Sequence, residues 1–230
     1  MGKGLGLCVP MLMVLLVGSV AMGDTIIQIE EFSGIPNLTE TLTFNQFDDA
    51  GGTLTLQSIQ VIFSLEVQGG QLVLDNDGEL AASGSYEFGA KGDISSTDVS
   101  LVNASFLPVT SELGAVHGDS FSLAANIGDG AGDYDPNGPD GMEYNGSTEN
   151  DSDSGYISPL VFADYIGTGT YDIDADVTQW QDFGGVSGIE WAVNPVSASG
   201  CVKVIYNYIP EPATLSVLAL GGLALIRRRK

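Results

Sequence analysis

The stretch SIQVIFSLEVQ, residues 58–68, alternates apolar and polar side chains with a period of two. Ile59, Val61, Phe63, Leu65 and Val67 take one side, and Gln60, Ile62, Ser64, Glu66 and Gln68 take the other. Successive side chains of a strand point to opposite faces, so this run buries one face and wets the other. The beat returns near the end, where Val202, Val204, Tyr206 and Tyr208 alternate with Lys203, Ile205 and Asn207. TETLTFNQF, QLVLDN, SYEF, DSFSLAA and TYDIDADVTQW read as further strands, with turns expected at Gly51-Gly52, Gly69-Gly70 and Asp77-Gly78. Nothing between the two ends keeps a helical period over three turns. The pattern predicts an all-β fold: one antiparallel β-sandwich domain, jelly-roll-like, over residues 24–209.

The two ends obey other rules. Lys3 precedes an apolar stretch from Leu5 to Val20, and Ala21-Met22-Gly23 puts small residues at minus three and minus one of a cut before Asp24. Residues 1–23 therefore read as a secretory signal helix that is removed on export. At the other end, Ala213 to Ile226 carries no charge, and Arg227, Arg228, Arg229 and Lys230 follow it. As a helix this run spans about 21 Å, short of the roughly 30 Å hydrocarbon layer. It reads as a short transmembrane helix held by its basic end on the cytoplasmic side. Pro210 and Pro212 block helix propagation upstream and present Glu211 on an extended segment, the shape a protease grips.

Between the ends, residues 24–209 hold 29 carboxylates against Lys91 and Lys203, a net charge of −27 with His117 neutral. That field repels nucleic acid phosphates and anionic membrane surfaces, and it favours divalent cations and high salt. Cys8 lies in the signal segment, which leaves Cys201 alone and excludes an internal disulfide in the exported domain. Cys201 falls in an apolar strand pattern and reads as a buried small hydrophobe.

The segment 128–155 breaks the strand rhythm with Gly, Asp, Asn and Ser, and reads as an acidic surface excursion too polar for a strand pair. Within it, Asp133, Asp135 and Asn137 stand at positions 1, 3 and 5 of an EF-hand-like loop, with Gly138 at 6. Position 12 is Tyr144; Glu143 comes one residue early, and Asp140 at position 8 offers a substitute. A true EF-hand is rejected, because the flanking helices are absent and the bidentate glutamate is displaced. The expectation is either a calcium-stabilised loop held by Asp133, Asp135, Asn137, Asp140 and Glu143 or a solvated acidic turn cluster.

Catalytic patterns are missing. His117 is the single histidine, in what reads as a polar loop, and no motif brings it to a nucleophile and an acid. Trp180 and Trp191 are the two tryptophans, and they serve either as core or as a platform for sugar rings. The residues thus point away from an enzyme.

Pro210-Glu211-Pro212-Ala213-Thr214, a short apolar run containing Gly221-Gly222, and Arg227 to Arg229 in that order resemble the PEP-CTERM sorting signal. The resemblance covers residues 210–230. It implies recognition by exosortase, a membrane-embedded protease or transpeptidase of Gram-negative bacteria, from an inner-membrane intermediate. It also implies release or attachment at the cell surface or extracellular matrix, commonly in producers of exopolysaccharide. The body is similar to choice-of-anchor E domains. Thr41-Leu42-Thr43-Phe44, Phe47-Asp48 and Gly52-Thr53-Leu54-Thr55-Leu56 carry that likeness, which implies a β-rich exported domain joined to alternative anchors and no established activity. The expected role is structural or adhesive. A carbohydrate-binding module that retains exopolysaccharide is the alternative, and a secreted hydrolase with a carboxylate pair is a distant one.

Overall fold

The computed structural model describes residues 23–128, 136, 138–184 and 187–211. They form eleven strands: β1 Asp24–Gly34, β2 Leu38–Asn45, β3 Leu54–Gln68, β4 Gln71–Asn76, β5 Ala82–Ser95, β6 Leu113–Leu123, β7 Gly141–Asn145, β8 Thr148–Tyr156, β9 Thr170–Phe183, β10 Ile189–Asn194 and β11 Ser197–Pro210. A 3₁₀ helix, Pro159–Tyr165, lies between β8 and β9. The strands pair antiparallel throughout, in orders β1-β11-β3-β8, β2-β9-β5-β6 and β10-β4-β7. The chain is all-β and sandwich-like.

Alternation decides which face is inside. Ile59, Val61, Phe63, Leu65 and Val67 of β3 are all buried, and so are Val202, Val204 and Tyr206 of β11. Tyr171, Ile173, Ala175 and Val177 supply the matching face of β9. One cluster joins these residues across the two four-stranded sheets. The ring of Phe44 stacks on Tyr171, and Tyr171 donates to or accepts from the Tyr206 hydroxyl at 2.7 Å across the core.

Gly69-Gly70 does not reverse the chain as the sequence suggested. Gln68 pairs with Thr148 and Gln71 with Asn145, which is one continuous register between β3–β4 and β7–β8. Ser197 with Gln68 and Asn194 with Gln71 give the same continuity on the other side. Three strands therefore run unbroken in register through a shared corner, and the β10-β4-β7 sheet is a bent continuation of the first. Glycines with φ of 69° and 81° make the corner in β3–β4, a bend that strands use to pass from one layer toward another.

The acidic excursion also differs from expectation, since β7 and β8 lie inside it. β8 has almost no apolar residues, but its inward face is satisfied by hydrogen bonds instead. Asp153 Oδ2 accepts from the Ser111 N–H and hydroxyl at 2.7 Å each, and Asp151 Oδ2 accepts from the Gly114 N–H at 2.9 Å. Polar alternation at a sheet edge, with a partner for each inward carboxylate, holds a strand without greasing it.

His117 is likewise not in a loop. It sits in β6 with its side chain fully buried, its ring 4.9 Å from Phe88, and Glu149 of β8 3.7 Å from Nδ1. Cys201 is half-buried on the outward face of β11 rather than in the core.

Candidate functional site

The last strand runs straight into the Pro-Glu-Pro motif. Pro210 is the final residue of β11 and pairs with Leu54, and the Glu211 N–H donates to the Thr53 carbonyl at 2.8 Å. Both residues are exposed. β1 begins at Asp24, opposite Tyr208 of β11, whose hydroxyl reaches the Asp24 carboxylate at 3.3 Å. The start of the domain and its Pro-Glu exit therefore lie side by side at one end of the first sheet. Pro212, Arg227, Arg228 and Arg229 lie outside the described residues, as does the expected signal helix. No helix among the described residues is long and apolar enough to cross a membrane.

The proposed loop ligands divide. Asp133, Asp135 and Asn137 lie outside the described residues. Asp140 and Glu143 are separated by the start of β7. Glu143 is exposed on that strand and accepts from the Asn145 side-chain amide at 2.6 Å. Asp140 is buried just before it, with Oδ2 accepting from the Ile127 N–H at 2.7 Å. Asp140 and Glu143 thus serve different neighbours. Among the described residues, no group of three or more acidic, histidine or cysteine side chains is placed to hold a metal ion.

The tryptophans do not share a face. Trp180 points outward from β9, its indole N–H donates to Glu87 at 3.2 Å, and the Lys91 ammonium lies 3.4 Å from its ring centre. Lys91 is also 3.7 Å from Glu112. That ammonium occupies one face of the indole, where a sugar ring would stack. Trp191 is 41% exposed on β10 and stacks on Phe183 at 5.0 Å. Phe183 follows Trp180 by three residues on β9 and so faces the opposite side. Neither tryptophan belongs to the core cluster, and the two do not form a single platform.

Two polar surfaces were not legible in the sequence. A shallow groove of about 1040 Å³ crosses β1, β11, β3 and β8, lined by Glu31, Ser33, Ser64, Glu66, Ser152 and Cys201 among others, with no basic side chain. Glu31, Cys201, Ser64 and Ser152 stand in one register row across the four strands. On the second sheet, the hydroxyls of Thr39, Thr41 and Thr43 donate to Asp176, Asp174 and Asp172, the last two at 2.7 Å. Beside this ladder the Asp93 carboxyl is pushed above its ordinary range by burial, then by the charges of Asp176 and Glu112.

No family model and no curated protein matches the chain. Among solved structures, the Gt strain of infectious bursal disease virus matches with a TM-score of 0.16 at 14% identity, covering 90% of this chain and 44% of that one. The Gx strain of the same virus matches with a TM-score of 0.18 at 12% identity, covering 82% and 37%. The chain spans less than half the length of the solved chains it matches. Likenesses at these scores carry no argument about the fold or its use.

Proposed function

We propose that this chain is an exported, jelly-roll-like β-domain sorted through a PEP-CTERM tail to the cell surface or extracellular matrix of a Gram-negative bacterium, where it serves a structural or adhesive role and no catalytic one. Exosortase is the partner that reads Pro210, Glu211, Pro212 and the arginine cluster. The observation that carries the reading is the coincidence of the processing points with the fold. β1 starts at Asp24, β11 ends at Pro210, and the two strands are paired. A cut at either place leaves every described strand intact. Exposure of Pro210 and Glu211 gives a membrane-facing protease access without unfolding the sandwich.

A second reading follows from the groove over β1, β11, β3 and β8: retention of exopolysaccharide by hydroxyl and carboxylate contacts. The lack of basic side chains there favours neutral or amine-bearing glycans over acidic ones.

The test is the intact mass of the native protein from surface and culture fractions. The expected chain begins near Asp24 and ends within the Pro210–Pro212 motif, and any added mass identifies the attached group. A chain that retains Lys230 overturns sorting by cleavage and leaves a permanent anchor.

A further inference from the structure

The outward face of the first sheet changes character along its length. Ile27, Ile205, Gln60 and Tyr156 form one row across its four strands, and Ile29, Lys203, Ile62 and Ser154 form the next. The row nearer the chain exit runs from Thr25 through Asn207 to Ser58 and carries no charge. Ile27, Ile29 and Tyr156 are 53%, 50% and 58% exposed, and Ile62 and Ile205 are half-buried. None of these side chains is a carboxylate, although residues 24–209 hold 29. Their one charge is Lys203, which makes no ion pair among the described residues. Acids return in the following row, with Glu31.

The chain exit decides what meets this face. The Glu211 N–H is tied to the Thr53 carbonyl at 2.8 Å. The uncharged run begins two residues later, at Ala213. Two residues reach at most about 7 Å. With that run in a bilayer, the domain cannot stand clear of the headgroups. Upright, it would press Asp48 and Asp49, from the turn that carries Thr53, toward the lipid phosphates. Tipped onto the second sheet, it would present Asp172, Asp174 and Asp176 of the threonine ladder. Tipped onto the first sheet, it presents isoleucines, a tyrosine and a lysine. Tyrosine and lysine suit the membrane interface, because each has an apolar body and a polar tip.

We propose that the isoleucine face around Lys203 rests on the bilayer surface while the tail is anchored. The contact rests on the sorting reading and deepens it. It lays β11 along the membrane and holds Pro210 and Glu211 at the level of the headgroups, where a membrane protease works. Burial of exposed isoleucine drives the contact, and the Lys203 ammonium reaches the phosphates. The remaining surface of a domain of net charge −27 is repelled by them. Removal of the tail therefore frees the face along with the chain.

The test reconstitutes the tailed chain, purified from membranes, into phosphatidylcholine vesicles with or without bromine on the upper acyl carbons. Tyr156→Trp puts a fluorescent reporter on the face. Leu80→Trp puts one past the end of β4, at a position 81% exposed. Brominated lipid is expected to quench the emission added by Tyr156→Trp and to leave that added by Leu80→Trp unchanged. In the Tyr156→Trp background, Ile27→Glu/Ile29→Glu should abolish the quenching, and Lys203→Glu should reduce it. Neither should change flotation with the vesicles, which the tail sustains. Flotation of Tyr156→Trp without quenching overturns the contact and leaves the anchor standing. Absence of flotation removes the anchor, and the contact with it. Emission that is shielded from bromine and shifts with protein concentration overturns the contact in favour of a second copy of the chain. Should the double glutamate variant fail to fold, Lys203→Glu decides alone, and quenching equal to that of its parent overturns the contact.

Discussion

At the scale of single residues, the core is held by tyrosine hydroxyl contacts as well as by apolar area. The Tyr206 hydroxyl donates to the Asn45 carbonyl at 3.1 Å, so the 2.7 Å contact with Tyr171 runs from Tyr171 as donor. Direction makes the pair asymmetric. In Tyr171→Phe, Tyr206 keeps its acceptor, and the cost is about 0.5–1.5 kcal/mol. In Tyr206→Phe, the buried Tyr171 hydroxyl loses its acceptor, and the cost rises to about 1–3 kcal/mol. The Asn45 carbonyl tolerates the change, since the Gln28 amide also donates to it. Urea denaturation of the two variants checks the order, and a larger cost for Tyr171→Phe would reverse the assigned donor. Burial pushes Tyr206 up to about 12 and Tyr171 higher still. The folded state therefore holds these protons where the unfolded chain gives them up. Stability from the pair is full below pH 10 and falls as pH rises beyond it.

At the scale of elements, legibility tracked apolar alternation. β3, β9 and β11 have it, and they were readable. β8 was not, because in TENDSDSGY the inward face is acidic and its partners, Ser111 and Gly114, lie about forty residues away. His117 reads as a loop residue for a related reason: Gly114 and Gly118 make β6 look like a loop, although a Cβ at Gly118 would stand 3.2 Å from the Tyr86 carbonyl oxygen of the neighbouring strand. The corner at Gly69-Gly70 was seen as punctuation but misjudged in kind, since only the register on both sides separates a bend from a reversal. Gly70 makes that corner testable. Its φ of 81° disfavours any side chain, and a Cβ would stand 2.8 Å from Val196 Cγ1 and 3.2 Å from Phe88 Cε2. Gly51 has a similar φ of 70° in open space. Gly51→Ala is expected to cost about 1 kcal/mol from backbone strain alone, and Gly70→Ala about 2–4 kcal/mol from strain plus crowding in the core. Equal losses in chemical denaturation would mean that the corner is slack.

At the scale of the whole molecule, the opposing term is charge. Twenty-nine carboxylates against two lysines in residues 24–209 make a field that compaction must work against. The Debye length falls from about 30 Å in 0.01 M salt to about 10 Å in 0.1 M, so sodium chloride alone should raise the melting temperature by several degrees. Asp93 reports on that field at one point. Its folded carboxyl is held above the ordinary carboxylate range by burial and the neighbouring charges of Asp176 and Glu112. The folded protein therefore binds a proton that the unfolded chain releases, and ionised Asp93 opposes folding at neutral pH. That opposition disappears as pH falls through the raised value. Asp93→Asn is then expected to stabilise at pH 7.5 in low salt by at most about 0.5 kcal/mol, or 1–2 °C, after allowance for solvent screening. The gain should shrink in 0.5 M sodium chloride and vanish at pH 3. Thermal melts on this two-by-two grid of pH and salt decide the matter. A gain that persists at pH 3 would place the effect in packing, whereas a gain confined to neutral pH and low salt identifies mutual repulsion across the β2-β9-β5-β6 sheet as a term that limits the stability of this domain.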